Sequence, residues 1–284
     1  MAKALADLLK EYRQQGRCLS GFNINDIYDI HAVVDAANRL DLPAMLMTYG
    51  PVVELNSSYM CRKMVDGFEK LANNKLYLHL DHCSDVNMCK QAIDDGYDSV
   101  MFDGSQMPLA DNIRGTKEVV NYAASAGVQV EAEIGKIMGR DVVAKTEDDY
   151  LAAVADVKAL AEEAGPDSIA VGIGTAHGFT PTTPKIHFDR LQEIANAVAA
   201  PLVLHGGTGI PDEDIQRSIT MGIAKINIGT IVHTTYMRET YEEISKDVAA
   251  AYPPFLMKEV IPKIADVVYD RLCAVNSIKN EKAA

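Results

Sequence analysis

A chain of 284 residues, 30.9 kDa, with 48% hydrophobic and 24% charged residues has the composition of a folded globule with length for a large core, which excludes disordered, collagenous and disulfide-scaffold proteins. Its 27 Lys and Arg against 40 Asp and Glu leave a net charge of −13, so neither nucleic acid nor a membrane surface is expected as a partner. The five cysteines, Cys18, Cys61, Cys83, Cys89 and Cys273, are odd in number and form no CxxC pair, which points away from disulfides and zinc ribbons and toward a reducing cytoplasm.

The first segment, MAKALADLLKEYRQQGR, is an amphipathic, charge-studded helix without the apolar core of a signal peptide, and no later run reaches the ~18 apolar residues of a spanning helix. From there short apolar runs alternate with helical segments. The strands read CLSGFNI (18–24), AMLMTY (44–49), KLYLHL (75–80), DSVMF (98–102), VQVEAE (128–133), DSIAVGI (167–173), PLVLH (201–205) and IAKINI (223–228). The helices read HAVVDAANRL, NSSYMCRKMVDGFEKLA, VNMCKQAIDDG, ADNIRGTKEVVNYAASAG, YLAAVADVKALAEEAG, FDRLQEIANAVAA, DEDIQRSITMG and TTYMRETYEEISKDVAAAY. Several helical runs stop at a glycine just before a strand, as at Gly127, Gly165 and Gly222, where a left-handed residue lets the chain turn back. Eight βα units without a linker or composition shift predict an α/β fold, a (β/α)8 TIM barrel forming a single domain over residues 1–284, in preference to an open doubly wound sheet. After the eighth unit, PPFLMKEVIPKIADVVYDRLCAV reads as extra C-terminal helix suited to a subunit contact, and SIKNEKAA as a tail.

Chemistry in such a barrel sits where the strands end. Strand three runs into Asp81-His82, strand four into Asp103-Gly104-Ser105, strand five carries Glu131 and Glu133, strand six leads to Gly174-Thr175-Ala176-His177-Gly178, strand seven to His205-Gly206-Gly207-Thr208-Gly209, and strand eight to Asn227-Ile228-Gly229-Thr230. His82, His177 and His205 are what a catalytic zinc needs, three neutral imidazoles on separate elements with a coordination position left for substrate. His79, His31, His187 and His233 read as structural or surface residues. Asp81 faces the substrate as a general acid/base if His82 takes the metal; its alternative is a cap on the following helix, a task Ser84 or Asp85 does better. Glu133 either coordinates a displaced metal or orients a ligand histidine, the alternative being a barrel-interior carboxylate paired with Lys225. Gly178, the Gly206-Gly207-Thr208 turn and the Asn227-Ile228-Gly229-Thr230 segment lie on the loops where barrels most often hold phosphate on backbone N–H groups.

These segments resemble the class II, metal-dependent ketose-bisphosphate aldolases. LHLDH, GYDSVMFDGSQMPLADNI, VEAEIG, DSIAVGIGTAHG, PLVLHGGTGIPDEDI and GIAKINIGT are similar, in order and over nearly the whole chain, to the family's successive strand-end motifs, and the compact length resembles its shorter branch of tagatose- and fructose-1,6-bisphosphate aldolases. The resemblance implies one Zn²⁺ per subunit held by His82, His177 and His205, with Asp81 as proton donor to the aldehyde-derived oxygen. It implies that Gly178, Gly206 through Thr208, and Asn227 through Thr230 hold dihydroxyacetone phosphate beside a monovalent cation, Na⁺ or K⁺. Asn23, closing strand one, joins the substrate-binding set. Relatives are homodimers or homotetramers, and some tagatose-type enzymes work with an accessory subunit.

The chain departs from the family pattern twice. The loop GKIMGRDVVAKTEDD is shorter than usual and carries Asp141 where the family places a glutamate base, with Glu147 as a substitute only under a different loop fold. Gly229 and His233 stand where fructose-type enzymes carry an Asp and a basic residue, so either the acceptor is not glyceraldehyde 3-phosphate or Arg238, Arg140 or Lys145 holds its phosphate. A zinc hydrolase or isomerase is the competing enzyme class, and a metal-binding subunit dependent on a partner the competing non-enzyme class. Cobalt or iron suits the same ligands as zinc.

Overall fold

In the computed structural model, which describes residues 4–139, 146, 149–179, 184–248 and 252–280, the apolar runs form eight strands. They are β1 (Leu19–Asn23), β2 (Ala44–Tyr49), β3 (Leu76–Cys83), β4 (Ser99–Phe102), β5 (Gln129–Ile134), β6 (Ser168–Val171), β7 (Leu202–Leu204) and β8 (Ile223–Ile228). All neighbours pair in parallel in chain order, and β8 returns to β1 through a register running from Leu19↔Lys225 to Phe22↔Ile228, so the sheet closes into the expected TIM barrel. The outward faces of the strands pack on the helices through apolar side chains such as Phe22, Leu46, Leu78, Val100, Ala132 and Ile169, whereas the inward faces carry polar as well as apolar residues.

Helices α1 (Leu5–Gln15), α2 (Ile27–Leu40), α3 (Gly50–Asn56), α4 (Ser58–Phe68), α5 (Val86–Asp94), α6 (Leu109–Ala123), α7 (Val154–Glu163), α8 (Phe188–Ala197), α9 (Asp212–Thr220), α10 (Thr230–Lys246) and α11 (Pro253–Val275) surround the sheet. The helix read at NSSYMCRKMVDGFEKLA is α4, and α3 before it is an additional helix that the sequence reading did not include; Ser57, at φ +66°, separates them, its hydroxyl accepting from the Met60 N–H to start α4. Gly127, Gly165 and Gly222 each take a positive φ, as the helix-stop reading requires. On α1, Leu5, Leu9 and Tyr12 pack against Leu19, Met45 and Tyr77 at the strand starts, so α1 plugs the N-terminal end of the barrel and leaves the opposite end open. The extra C-terminal helix α11 lies against α2 and α10.

The turn from β1 into α2 positions one wall of that open end. Asp26 caps the helix by accepting from Tyr28 N–H at 2.7 Å, and the fully buried Asp29 carboxyl accepts from the backbone and side-chain N–H groups of Asn25 at 2.6 and 2.8 Å. Burial, reinforced by the charge of Asp26, pushes Asp29 up to about 7. The folded chain therefore keeps a proton that the unfolded chain releases near pH 4, and stability falls as pH rises through that window up to about 7. Between pH 5 and pH 8 the protein is expected to lose about 2–3 kcal/mol relative to Asp29→Asn, measured by urea denaturation of both at each pH.

Candidate functional site

The open end holds a cavity of about 1110 Å³, and its wall includes Asn23, Asp81, His82, Asp103, Glu133, His177, Gly178, Gly206, Thr208, Asn227, Gly229 and Thr230. Asp81 and His82 are adjacent on β3, where a regular strand would turn them to opposite faces. The β3–β4 register shifts between Leu80 and Cys83, and His82 takes φ +46°, uncommon for a residue with a Cβ. That irregularity turns both side chains into one cavity. The helix-capping alternative for Asp81 does not hold, because Asp85 caps α5 by accepting from Asn87 N–H at 2.8 Å.

His82 and His205 approach with Nε2 of the first 2.9 Å from Nδ1 of the second. His82 donates from Nδ1 to Asp103 Oδ2 at 2.8 Å, and His205 donates from Nε2 to Glu131 Oε1 at 3.0 Å, so their facing nitrogens are the ones left for a ligand. The His177 ring lies 4.8 Å from that of His82, centroid to centroid. It does not sit at a strand end: the loop carrying it lies beyond β6 and is pinned by His177 N–H donating to Met138 O at 2.6 Å. Among the described residues two groups have ligand atoms close enough for one ion, His82–His177–His205 and His82–Asp103–Glu133, with His82 common to both.

A cation fits this cluster on its own chemistry. Glu133 Oε2 is buried without a hydrogen-bond partner and lies 3.9 Å from Nδ1 of both His82 and His205. Burial, followed by the charge of Asp103, drives Glu133 well above the usual carboxylate range. Burial alone would lower His82, but Asp81, Asp103 and Glu133 carry it up to about 10, so the surrounding carboxylates call for positive charge at that ring. Although His177 is on the rim, partial desolvation by the surrounding wall and then the charge of His82 push it down to about 4, leaving a neutral imidazole of the kind metals take.

Asp81 is clamped from both sides: Asn23 Nδ2 donates to Oδ2 and Asn227 Nδ2 to Oδ1, each at 2.9 Å. Burial works against its charge, but His82, His205 and Lys225 outweigh it and bring the carboxyl down to about 2. Gly229 makes this clamp possible, since a Cβ there would collide with Asn23 Oδ1. Gly229→Ala is expected to displace the amide and lower kcat/KM about ten- to a hundredfold with little change in Tm, the cost of losing one hydrogen bond to a carboxylate. Asn23→Ala should cost about the same and the double variant no more, which a double-mutant cycle on kcat/KM checks.

Around the other rim, Gly207–Gly209 form a single 3-10 turn whose Thr208 Oγ1 accepts from Ile231 N–H at 3.3 Å, setting it beside the N-terminus of α10. Gly178, Gly206, Thr208, Gly229 and Thr230 line the cavity there, ready to present backbone donors to an anion. Ile228 and Gly207 are not on the wall; the Ile228 side chain belongs to the core between sheet and helices, leaving only its backbone for a ligand. Asp141, Arg140, Lys145 and Glu147 lie outside the described residues. Lys225 pairs with Glu131, Nζ to Oε2 at 2.8 Å, which removes the alternative that placed it on Glu133. The sequence marks Asp103 and Glu131 as strand-end acids without showing which histidine each meets, and it carries no signal that singles out Tyr49, Ser105 or Gln106, which line the cavity.

The sequence matches the family model described as class-II fructose-bisphosphate aldolase over residues 3–280. It is 36% identical over 230 residues to the fructose-bisphosphate aldolase of Staphylococcus aureus strain Mu50, covering 80% of each chain. It is 32% identical over 231 residues to the sulfofructosephosphate aldolase of Alkalicoccus urumqiensis, covering 81% of this chain and 80% of the relative. Among solved structures, the YdjI aldolase from Escherichia coli K12 superposes over 100% of both chains with a TM-score of 0.85 and 27% identity. With a family model matched over nearly its full length and a barrel shared with a solved aldolase, the chain belongs to the class-II fructose-bisphosphate aldolase family, metal-dependent lyases that cleave ketose phosphates.

Proposed function

We propose that the protein catalyses zinc-dependent, reversible aldol cleavage of a ketose 1,6-bisphosphate of tagatose or fructose type, giving dihydroxyacetone phosphate and an aldehyde. The observation that carries this reading is the convergence of His82, His177 and His205 on one point, with the clamped carboxylate of Asp81 beside it. His82, His177 and His205 hold the ion, with Glu133 as a further ligand. Bound there, Zn²⁺ supplies fixed positive charge against the negative charge that develops on the ketone half as the C3–C4 bond breaks, so that no Schiff-base lysine is needed. Asp81 takes the proton of the C4 hydroxyl in cleavage and returns it to the aldehyde oxygen in condensation. Asn23 and Asn227 fix that carboxylate and line the ketose site.

Gly178, Gly206, Gly207, Thr208, Ile228, Gly229 and Thr230 receive the phosphate through backbone donors at the α10 N-terminus, with a Na⁺ or K⁺ ion beside it. Asp141 is our candidate for the base that removes a proton from dihydroxyacetone phosphate. We further propose that the chain is one domain, acts in the cytoplasm and assembles as a homodimer or homotetramer; among the described residues no helix is long and apolar enough to cross a membrane.

A second reading, an aldehyde acceptor without a phosphate, is favoured by one feature: among the described residues that line the cavity there is no lysine or arginine. The test is dihydroxyacetone phosphate release from fructose 1,6-bisphosphate, tagatose 1,6-bisphosphate and fructose 1-phosphate, with EDTA and after zinc is restored. Activity lost to chelation and regained with zinc is the expected result, and a preference for fructose 1-phosphate selects the second reading. Full activity in EDTA overturns the metal mechanism, whereas silence on all three with zinc bound directs the search to an unusual acceptor or an accessory subunit.

A further inference from the structure

Most barrels of this kind fill their middle layer with Val, Ile and Leu. Here that layer, just beneath the histidine cluster, is polar: His79, Ser99, Gln129, Glu131, Ser168 and Lys225 are each at most 2% exposed and come from β3, β4, β5, β6 and β8. Burying six polar side chains is costly unless each finds a partner, and these do so in one sequence whose direction chemistry dictates. The Lys225 ammonium only donates, to Glu131 Oε2 at 2.8 Å and to His79 Nε2 at 3.3 Å. His79 therefore accepts at Nε2 and carries its hydrogen on Nδ1, which donates to Ser99 Oγ at 2.7 Å. The Ser99 hydroxyl, its oxygen used, donates to Gln129 Oε1, and Gln129 Nε2 donates to Ser168 Oγ at 2.7 Å. The Ser168 hydroxyl then donates to Glu131 Oε2 at 3.4 Å.

Both arms thus leave Lys225 and end on the same oxygen of Glu131. Only Oε1 remains, and it meets Nε2 of His205 at 3.0 Å; Asn227 Nδ2 lies 3.1 Å from the same nitrogen, but the carboxylate paired with Lys225 can only accept, so Nε2 carries its hydrogen toward Glu131. We infer that these two converging arms of hydrogen bonds form a positioning network: by saturating one oxygen of Glu131 and holding the carboxylate in place, they fix His205 as the Nε2–H tautomer, so that His205 presents Nδ1 to the metal point facing His82 Nε2. The inference rests on the reading of His82, His177 and His205 as metal ligands. It extends that reading to Ser99, Gln129 and His79, which touch neither metal nor substrate. Arms linked through hydroxyls have no alternative direction, because reversing any link would ask the ammonium to accept.

The test is metal binding by purified apoprotein, with Zn²⁺ affinity read by competition against a chromogenic chelator and site geometry by the visible spectrum of the Co²⁺ form. Ser99→Ala cuts the longer arm and leaves the Lys225–Glu131 pair in place. It is expected to weaken Zn²⁺ about tenfold and shift the Co²⁺ bands, with Ser99→Thr restoring both, while Glu131→Gln weakens Zn²⁺ about ten- to a hundredfold. Should Ser99→Ala fail to fold, Lys225→Met/Glu131→Gln, which removes the buried charges together, carries the same test. Wild-type Zn²⁺ affinity and an unshifted Co²⁺ spectrum in any one of these folded variants overturn the inference. If the wild-type protein binds neither ion, the metal reading itself fails and takes this network's role with it.

Discussion

His177→Ala is expected to reduce kcat/KM for aldol cleavage at least about a thousandfold while leaving the thermal transition within a few degrees of wild type, and His205→Ala to lose as much activity but also stability. The activity loss is common to both because each removes one of the three side chains proposed to hold positive charge where the cleaved bond leaves negative charge. Forfeiting about 4 kcal/mol of that stabilisation is worth three powers of ten in rate. The stability costs differ because the environments differ. His177 sits on the rim of the mouth with its ring partly open to solvent, and truncation there strands no buried group. His205 is fully buried, and its loss leaves Glu131 Oε1 without its donor, a penalty of about 1–3 kcal/mol besides the cavity left by the ring. Steady-state assays with differential scanning fluorimetry of the two variants separate the effects. A His177→Ala enzyme with near wild-type turnover would remove this residue from the site.

The barrel could be read from the sequence because its signal is repeated. Eight apolar runs each place a strand, and one misread boundary does not alter closure. The ends of the runs were less legible, since β3 was expected to stop at Leu80 and instead carries Asp81, His82 and Cys83 within the strand. Hydropathy says nothing about a bulge, and only the positive φ at His82 explains how two neighbouring residues enter one cavity. Pairing among buried charges was out of reach for a related reason. Glu131 and Glu133 share the inward face of β5, two residues apart, and either satisfies the pattern as a partner for Lys225. The structure places Lys225 against Glu131, and which of the two carboxylates it meets across the barrel has no trace in a one-dimensional period. His177 illustrates the opposite case: its motif marked it, although its loop is held by a bridge to Met138 rather than by a strand.

Asp81→Asn should lower kcat about a hundred- to ten-thousandfold, the range that a positioned general acid/base contributes, while Zn²⁺ affinity stays within a few-fold of wild type. The substitution is isosteric, so the effect has to come from the lost proton-transfer group and from the clamp. Asn23 and Asn227 both donate to Asp81, and an amide at that position offers one acceptor and one donor where two acceptors stand now. One of the flanking amides must then rotate, and Asn227 is the one placed to do so, because its Oδ1 is buried without a partner and would accept from the new amide. Asp81→Ala removes the same proton carrier without confronting two donors with a third, so it should be no less stable than Asp81→Asn although its side chain is smaller. Comparing the two variants by urea denaturation and by single-turnover cleavage separates chemistry from packing. Equal kcat losses with unequal stabilities place the rate effect on the carboxylate, whereas a recovered kcat in Asp81→Ala would assign the loss in Asp81→Asn to the disrupted clamp.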